Sequence, residues 1–178
     1  MEENAIIPTF SPEEYMKKYD FLKFYTIDTD DYIDMLERAF DCDLKAPEFQ
    51  GSHFGIKTNR HGLYSDRDIM ALSIAIKIKE TYWNRSDIKI ADLGGGVGHL
   101  TYWLNKLGFT DITYIDVPTV TISAMYFLET NGISAKFVST KDFDGDYDLV
   151  INVDGLTQYS KEARSEEHTS ELQSRLHL

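Results

Sequence analysis

The chain has 178 residues and a single cysteine, Cys42, so no disulfide can form within it and a reducing compartment is the simplest setting. It is also short of positive charge. Eighteen Lys and Arg stand against 30 Asp and Glu, a formal net charge of −12. That balance argues against nucleic acid held by charge, though not against a nucleoside-sized ligand. No apolar run approaches the roughly 20 residues that cross a bilayer. Met1 to Phe10 carries two acids and no long apolar core, so it does not read as a signal peptide. These absences lead to the expectation of a soluble, cytoplasmic protein with neither membrane nor nucleic-acid partner. Its oligomeric state is not readable. The length suits one domain with an appendage, and a hydrophobic content of 42% is ordinary for a folded globular chain.

What is present is organised around Lys89 to Leu100, Lys-Ile-Ala-Asp-Leu-Gly-Gly-Gly-Val-Gly-His-Leu. An apolar run ending in an acid and breaking into glycines reads as a buried strand feeding a tight turn. After Gly98 the apolar positions Leu100, Leu104 and Leu107 take on helical spacing. A strand, a glycine turn and a helix bring backbone N–H groups and the positive end of a helix up to a ligand. The dinucleotide fingerprint wants glycine at first, third and sixth positions; counted from Gly94 these are Gly94, Gly96 and His99, so the third is missing. The spacing present is Asp92-x-Gly94-x-Gly96-x-Gly98. A second acid, Asp116, closes the next predicted strand, where a carboxylate can accept hydrogen bonds from the two ribose hydroxyls of an adenosine.

The remaining elements follow in order. Ser11-Pro12-Glu13-Glu14 has the form of a capped helix start, with Tyr15, Tyr19 and Leu22 on one face. Asp28-Thr29-Asp30-Asp31 reads as a second start, with Ile33, Leu36 and Phe40 as its stripe and Asp30, Asp31 and Asp34 as a solvated face that complements the helix dipole. Ala46 to Leu63, with Pro47, Gly51, Gly55 and Gly62, reads as a loop and domain boundary. Its histidines, His53 and His61, are candidate bases or plain surface residues. Ser65-Asp66-Arg67-Asp68 starts a helix running to about Trp83. Its apolar positions, Ile69, Leu72, Ile74, Ile76 and Ile78, form a stripe wide enough for packing on two sides. Then come strands at Ile88 to Leu93, Ile112 to Val117, Ala135 to Val138 and Tyr147 to Val153, with helices at Gly98 to Leu107 and Thr119 to Thr130 between them. This alternation predicts an α/β fold with a parallel sheet and ligand at the strands' carboxyl ends. The divisions expected are a helical region with its loop over 1–62, a nucleoside-binding half-domain over 63–163 and a tail over 164–178.

Two acidic stretches call for separate readings. Asp142-Phe-Asp-Gly-Asp-Tyr-Asp148 alternates acids as a calcium loop does, but Tyr147 and Val153 occupy the sixth and twelfth positions, where that loop needs glycine and glutamate. No other clustering of metal ligands is visible along the chain. Asn152-Val-Asp-Gly-Leu156 ends the fourth strand on the edge where ligand belongs. There Asp154 either orients or deprotonates an acceptor hydroxyl or caps the helix that follows.

The Asp92 to Gly98 spacing resembles motif I of the class I S-adenosylmethionine-dependent methyltransferases. Together with Tyr114-Ile-Asp-Val-Pro118, Tyr126-Phe-Leu128 and Asn152-Val-Asp-Gly-Leu156, it is similar to the sugar O-methyltransferase family over about Leu63 to Ala163. The resemblance implies a Rossmann-like fold and S-adenosylmethionine as cofactor. It also implies methyl transfer to a hydroxyl of a small-molecule acceptor, a sugar or glycoside. It assigns cofactor binding to Asp92, Gly94, Gly95, Gly96, Gly98, Asp116, Val117, Asp142 and Asn152, with Phe143 as a ring neighbour of the adenine and Asp154 as the catalytic candidate. In this family the sheet has seven strands, in the order 3-2-1-4-5-7-6, of which four are found here. The rival readings are an NAD(P)-binding oxidoreductase and a non-catalytic nucleoside-binding or interaction domain. Arg164 to Ser174 back-translates to the sequence of a widely used short-read sequencing adapter read in frame, so His168 and His177 carry no functional weight. On that reading the natural sequence stops near Ala163. The fourth strand is then an apolar edge prone to aggregation, and the expectation is that the chain as written is poorly soluble and inactive although its full-length parent is a methyltransferase.

Overall fold

A computed structural model describes residues 29–48 and 55–153. Its elements are α1 (Thr29–Phe40), β1 (Gly55–Lys57), β2 (Leu63–Ser65), α2 (Asp66–Thr81), β3 (Ile90–Leu93), α3 (His99–Lys106), β4 (Ile112–Asp116), α4 (Pro118–Thr130), β5 (Lys136–Ser139), a 3-10 turn (Thr140–Asp142) and β6 (Leu149–Asn152). The four later strands form one parallel sheet in the order β5-β4-β3-β6. Counted along the alternation this is third, second, first, fourth, and the fold is the expected Rossmann-like α/β arrangement. The register pairs Leu93 with both Ile115 and Asn152, and Asp116 with Ser139. All four carboxyl ends therefore come out along one edge, and every turn that could meet a ligand starts there.

Alternation along the strands sorts the core. Ile90, Ile112, Phe137, Leu149 and Ile151 pack in one cluster with the buried faces of α2, α3 and α4. Ala91, Leu93 and Ile115 point the other way, against Val138, Phe143, Tyr147 and Val150. The helices thus share one face of the sheet, and among the described residues no helix covers the opposite one. Helix α3 lies deepest in its layer: His99 through Leu104 are all buried, with Trp103 fully so. Gly108, at φ +92°, ends it, and the Phe109 N–H reaches back to the Leu104 carbonyl at 3.1 Å.

Helix α2 is fixed at its start by a complete capping box. Ser65 accepts from the Asp68 N–H, and Asp68 accepts from the Ser65 N–H. The buried stripe of this helix is Asp68, Ala71, Leu72, Ala75 and Ile78. Small residues at 71 and 75 let α3 approach closely, while Ile69 (40% exposed) and Met70 (47%) face outward. Of the expected stripe, Leu72 and Ile78 are buried, Ile74 and Ile76 are partly buried against the same cluster, and Ile69 faces outward.

Two other expectations are corrected. The stretch from 46 to 63 is not all loop, because Gly55–Lys57 pairs antiparallel with Leu63–Ser65 in a short hairpin closed by the Thr58 N–H to the Gly62 carbonyl at 2.8 Å. Three-residue strands are too short to show a period amid glycines. Asp30 is not part of a solvated helix face. It is buried at 2% exposure and accepts the N–H groups of Asn59 (2.8 Å) and Arg60 (2.9 Å) in the hairpin turn. Burial opposes its charge, but those backbone hydrogen bonds hold its carboxyl below the usual range. The helix expected from Ser11, His53, Asp154 and the tail over 164–178 lie outside the described residues.

The Asp68 junction sets a stability test. Ser65→Ala removes one cap and is expected to cost about 1 kcal/mol. Asp68→Ala strands several buried donors and should cost about 3–5 kcal/mol, as loss of one partner from a buried charged network does. Urea unfolding followed by circular dichroism measures the difference, and equal costs would mean that the cap is Asp68's whole role.

Candidate functional site

The glycine turn leaves β3 and crosses to α3. Gly94 continues the ladder through its N–H to the Ile115 carbonyl at 2.8 Å, and Gly98 closes the turn on the Gly95 carbonyl at 3.0 Å. Gly94, Gly96 and Gly98 have φ values of +71°, +58° and +100°, a region that side chains rarely adopt. Gly95 is fixed for a different reason. A Cβ there would lie 2.6 Å from the Tyr114 ring and 2.9 Å from Asp92 Oδ2. The N–H groups of Gly95 and Val97 have no partner among the described residues. The first-turn N–H groups of α3 at His99 and Leu100 likewise have no intrahelical acceptor.

Asp116 ends the neighbouring strand on the same edge. Its Oδ2 accepts the Gly96 N–H at 3.0 Å and its Oδ1 accepts the Val117 N–H at 2.7 Å. The Tyr114 hydroxyl donates to the Gly96 carbonyl at 2.5 Å, so the turn is tied to β4 through both backbone groups of one glycine. Asp92 lies beneath. It is 1% exposed and accepts the Thr101 hydroxyl at 2.7 Å, which joins the strand end to the first turns of α3. Burial pushes its carboxyl up to about 6; hydrogen bonds from Thr101 offset part of that rise, and the Asp116 charge adds to it.

The structure also shows a buried polar knot behind the turn that motif spacing did not reveal. Asp68, fully buried, accepts from the Ser65 hydroxyl (2.6 Å), His99 Nδ1 (2.8 Å) and Trp103 Nε1 (3.2 Å). Burial works against its charge, but the His99 and Ser65 hydrogen bonds outweigh it and hold the carboxyl below its ordinary range. His99 is the residue that breaks the dinucleotide pattern. Its buried ring leans on Phe127 at 4.8 Å between centroids. A histidine directly after the last glycine and an acid at the capping-box position were the signals available.

The other predicted residues divide. Asn152 donates through Nδ2 to the Leu93 carbonyl at 2.8 Å and so steadies the residue entering the turn. Val117 caps α4, with its N–H on Asp116. Asp142 is exposed at the end of the 3-10 turn after β5, and Phe143 stacks on Tyr147. His61 is not at this site and not on the surface. Its buried ring sits between Asp34 and Glu37 of α1.

Asp92 gives the site a pH signature. Its folded-state value of about 6 lies above the 3.8 of an unfolded carboxyl. Between those values the folded state holds a proton that the unfolded chain has released. Its contribution is full below pH 4 and is lost as pH rises through about 6, on the order of 3 kcal/mol in all. Denaturant unfolding from pH 4 to 7 should show this decline in the unliganded protein. Asp92→Asn should flatten the decline and be the more stable form at pH 7.

No protein-family model matches this chain, and no curated protein matches it in sequence. Solved structures are similar to it over about half its length. A magnesium protoporphyrin IX methyltransferase from Synechocystis with bound SAM is 23% identical, over 55% of this chain and 49% of its own, at a TM-score of 0.47. An amino pentose methyltransferase from Micromonospora echinaspora, also with SAM bound, is 18% identical over 56% and 42%, at 0.43. A Thermoplasma acidophilum protein is 18% identical over 58% and 60%, at 0.43. The chain thus spans less than two thirds of each of these proteins.

Proposed function

We propose that this chain binds S-adenosylmethionine and supplies the cofactor-binding half of a class I methyltransferase acting on a hydroxyl of a sugar or glycoside. One observation carries the reading: the glycine turn after β3 and the Asp116 carboxylate after β4 are hydrogen-bonded neighbours on one sheet edge. The residues present fit the cofactor. Oδ1 of Asp116 takes the Val117 N–H and keeps acceptor capacity for a ribose hydroxyl, while Oδ2 takes the Gly96 N–H and, at 3.3 Å, the Tyr114 hydroxyl. The unpartnered N–H groups of Gly95 and Val97 and the start of α3 suit the cofactor's carboxylate. Gly95 is needed because the Tyr114 ring and Asp92 already take the room that a side chain would require, while nothing lies within 4 Å of a Cβ on Gly96.

When bound, the cofactor supplies a methyl made electrophilic by its sulfonium. The chain's part is to hold that nucleoside, align the acceptor oxygen with the carbon–sulfur bond and keep water out. Asp116 fixes the ribose, Asp92 and Thr101 brace the turn, and the Asp68–His99 pair holds the start of α3. Asp142 and Phe143 are assigned to the adenine side, and Asp154 to the acceptor side. The sugar assignment rests on the resemblance of the motifs, chiefly Asp116-Val-Pro118 and Tyr126-Phe-Leu128. Of the latter, Phe127 touches His99, and Leu128 lies where a Cβ on Gly98 would meet it at 3.2 Å. These residues support the turn and do not themselves choose an acceptor.

Calorimetry on the full chain with S-adenosylhomocysteine and, separately, NAD tests the reading. Heat is expected with the first alone. Asp116→Ala should weaken binding tenfold or more, each tenfold being about 1.4 kcal/mol. Gly95→Ala should weaken it further, because the turn must shift to admit the methyl. Heat with NAD alone would replace the proposal with the oxidoreductase.

A further inference from the structure

The geometry points to a second site, a divalent-cation clip of the zinc class formed by Asp34, Glu37 and His61, separate from the glycine turn. Asp34 and Glu37 are one helical turn apart on α1 and so share a face. His61 comes from the β1–β2 turn, 27 positions from Asp34 in sequence. Its Nε2 lies 2.8 Å from Asp34 Oδ1, and its Nδ1 lies 3.5 Å from Glu37 Oε1. One donor atom from each of the three residues can be chosen so that all lie within 4.8 Å of one another. This is more than a patch of acids, because the imidazole side chain is only 9% exposed and a carboxylate stands at each of its nitrogens.

Three further observations favour an ion. The local charge is unbalanced. Asp30 Oδ1 is 4.0 Å from the same Nε2, and Asp31 and Asp34 share the single guanidinium of Arg60, at 3.1 and 2.7 Å. There is a way in, since Asp34 and Glu37 line a surface cleft with Arg38, Asp41 and Cys42. The ligands also have capacity left. Glu37 spends Oε1 on the Leu44 N–H at 2.8 Å and keeps Oε2. One imidazole nitrogen with two carboxylates is a borderline donor set that suits zinc-like ions, whereas magnesium and calcium prefer oxygen alone. On binding, the ion takes the place of the proton between Nε2 and Asp34 Oδ1. That proton leaves to solvent, and Glu37 closes in as the third ligand. The fourth position falls to water. The ion ties α1 to the hairpin that leads into α2.

Titration of the full, chelator-treated chain with zinc chloride at pH 7 tests this. The expected result is one equivalent bound with release of protons, a rise in melting temperature, and little response to magnesium or calcium. His61→Gln, Asp34→Asn and Glu37→Gln should each weaken binding at least about tenfold. The last two positions are partly exposed, so those variants keep the test informative should the histidine variant misfold; circular dichroism checks each fold. The joint variant His168→Gln/His177→Gln should bind as the parent does. Cobalt substitution should give visible d–d bands. No saturable zinc binding, or binding unchanged by His61→Gln and Glu37→Gln, would overturn the site. Neither result bears on S-adenosylhomocysteine binding.

Discussion

The site depends on one hydrogen bond, from the Gly96 N–H to the Asp116 carboxylate. It exists because β3 and β4 are parallel neighbours in a register that ends both on the same edge. A strand slip of one residue would turn Asp116 to the other face of the sheet and leave the turn unattached. The bond also creates a cost. It holds the Asp116 charge near Asp92, where it adds to the rise that burial imposes on the Asp92 carboxyl.

Behind the turn, the helix layer is built to keep it still. Asp68 joins the capping box of α2 to two residues of α3, and His99, the first residue of that helix, is held on its other side by Phe127 of α4. Three helices thus converge on the residue that follows the last glycine. Thr101 performs the same service from below, through Asp92. A turn of four glycines in five positions has little stiffness of its own, so its geometry must come from these neighbours.

Much of this was legible in the sequence, and the reasons are specific. The buried strands of a parallel sheet are nearly continuous apolar runs, so β3 and β4 stand out, and the glycines and Asp116 punctuate them. The Ser65–Asp68 box marks the start of α2, and Gly108 marks the end of α3. What failed to show was tertiary. The strands Gly55–Lys57 and Leu63–Ser65 are shorter than any period that could reveal them. Asp30 has the sequence position of a dipole-facing acid, and only the folded hairpin turn supplies the N–H groups that bury it. The stripe of α2 shows in Leu72, Ile74, Ile76 and Ile78, but Ala71 and Ala75, whose small size admits α3, are too weakly apolar to reveal its centre, and Ile69 is left outside. His61 and His99 could not be told from surface histidines, since their partners are distant in sequence.

The two clusters that the sequence hid are joined by a continuous path of contacts. His61 and Asp30 hold the hairpin turn to α1, β2 leaves that hairpin and ends at Ser65, Ser65 caps α2 with Asp68, and Asp68 holds His99 beside Gly98. Contiguity of this kind is not coupling, which requires an element with two states biased from both ends. Its consequence is mechanical. The path runs through a strand, a capped helix start and fully hydrogen-bonded buried acids, and such elements transmit position without bending. The N-terminal segment from α1 through the hairpin therefore belongs to the support of the glycine turn, and the polar interior residues that look least like a cofactor motif are the ones that keep that motif in place.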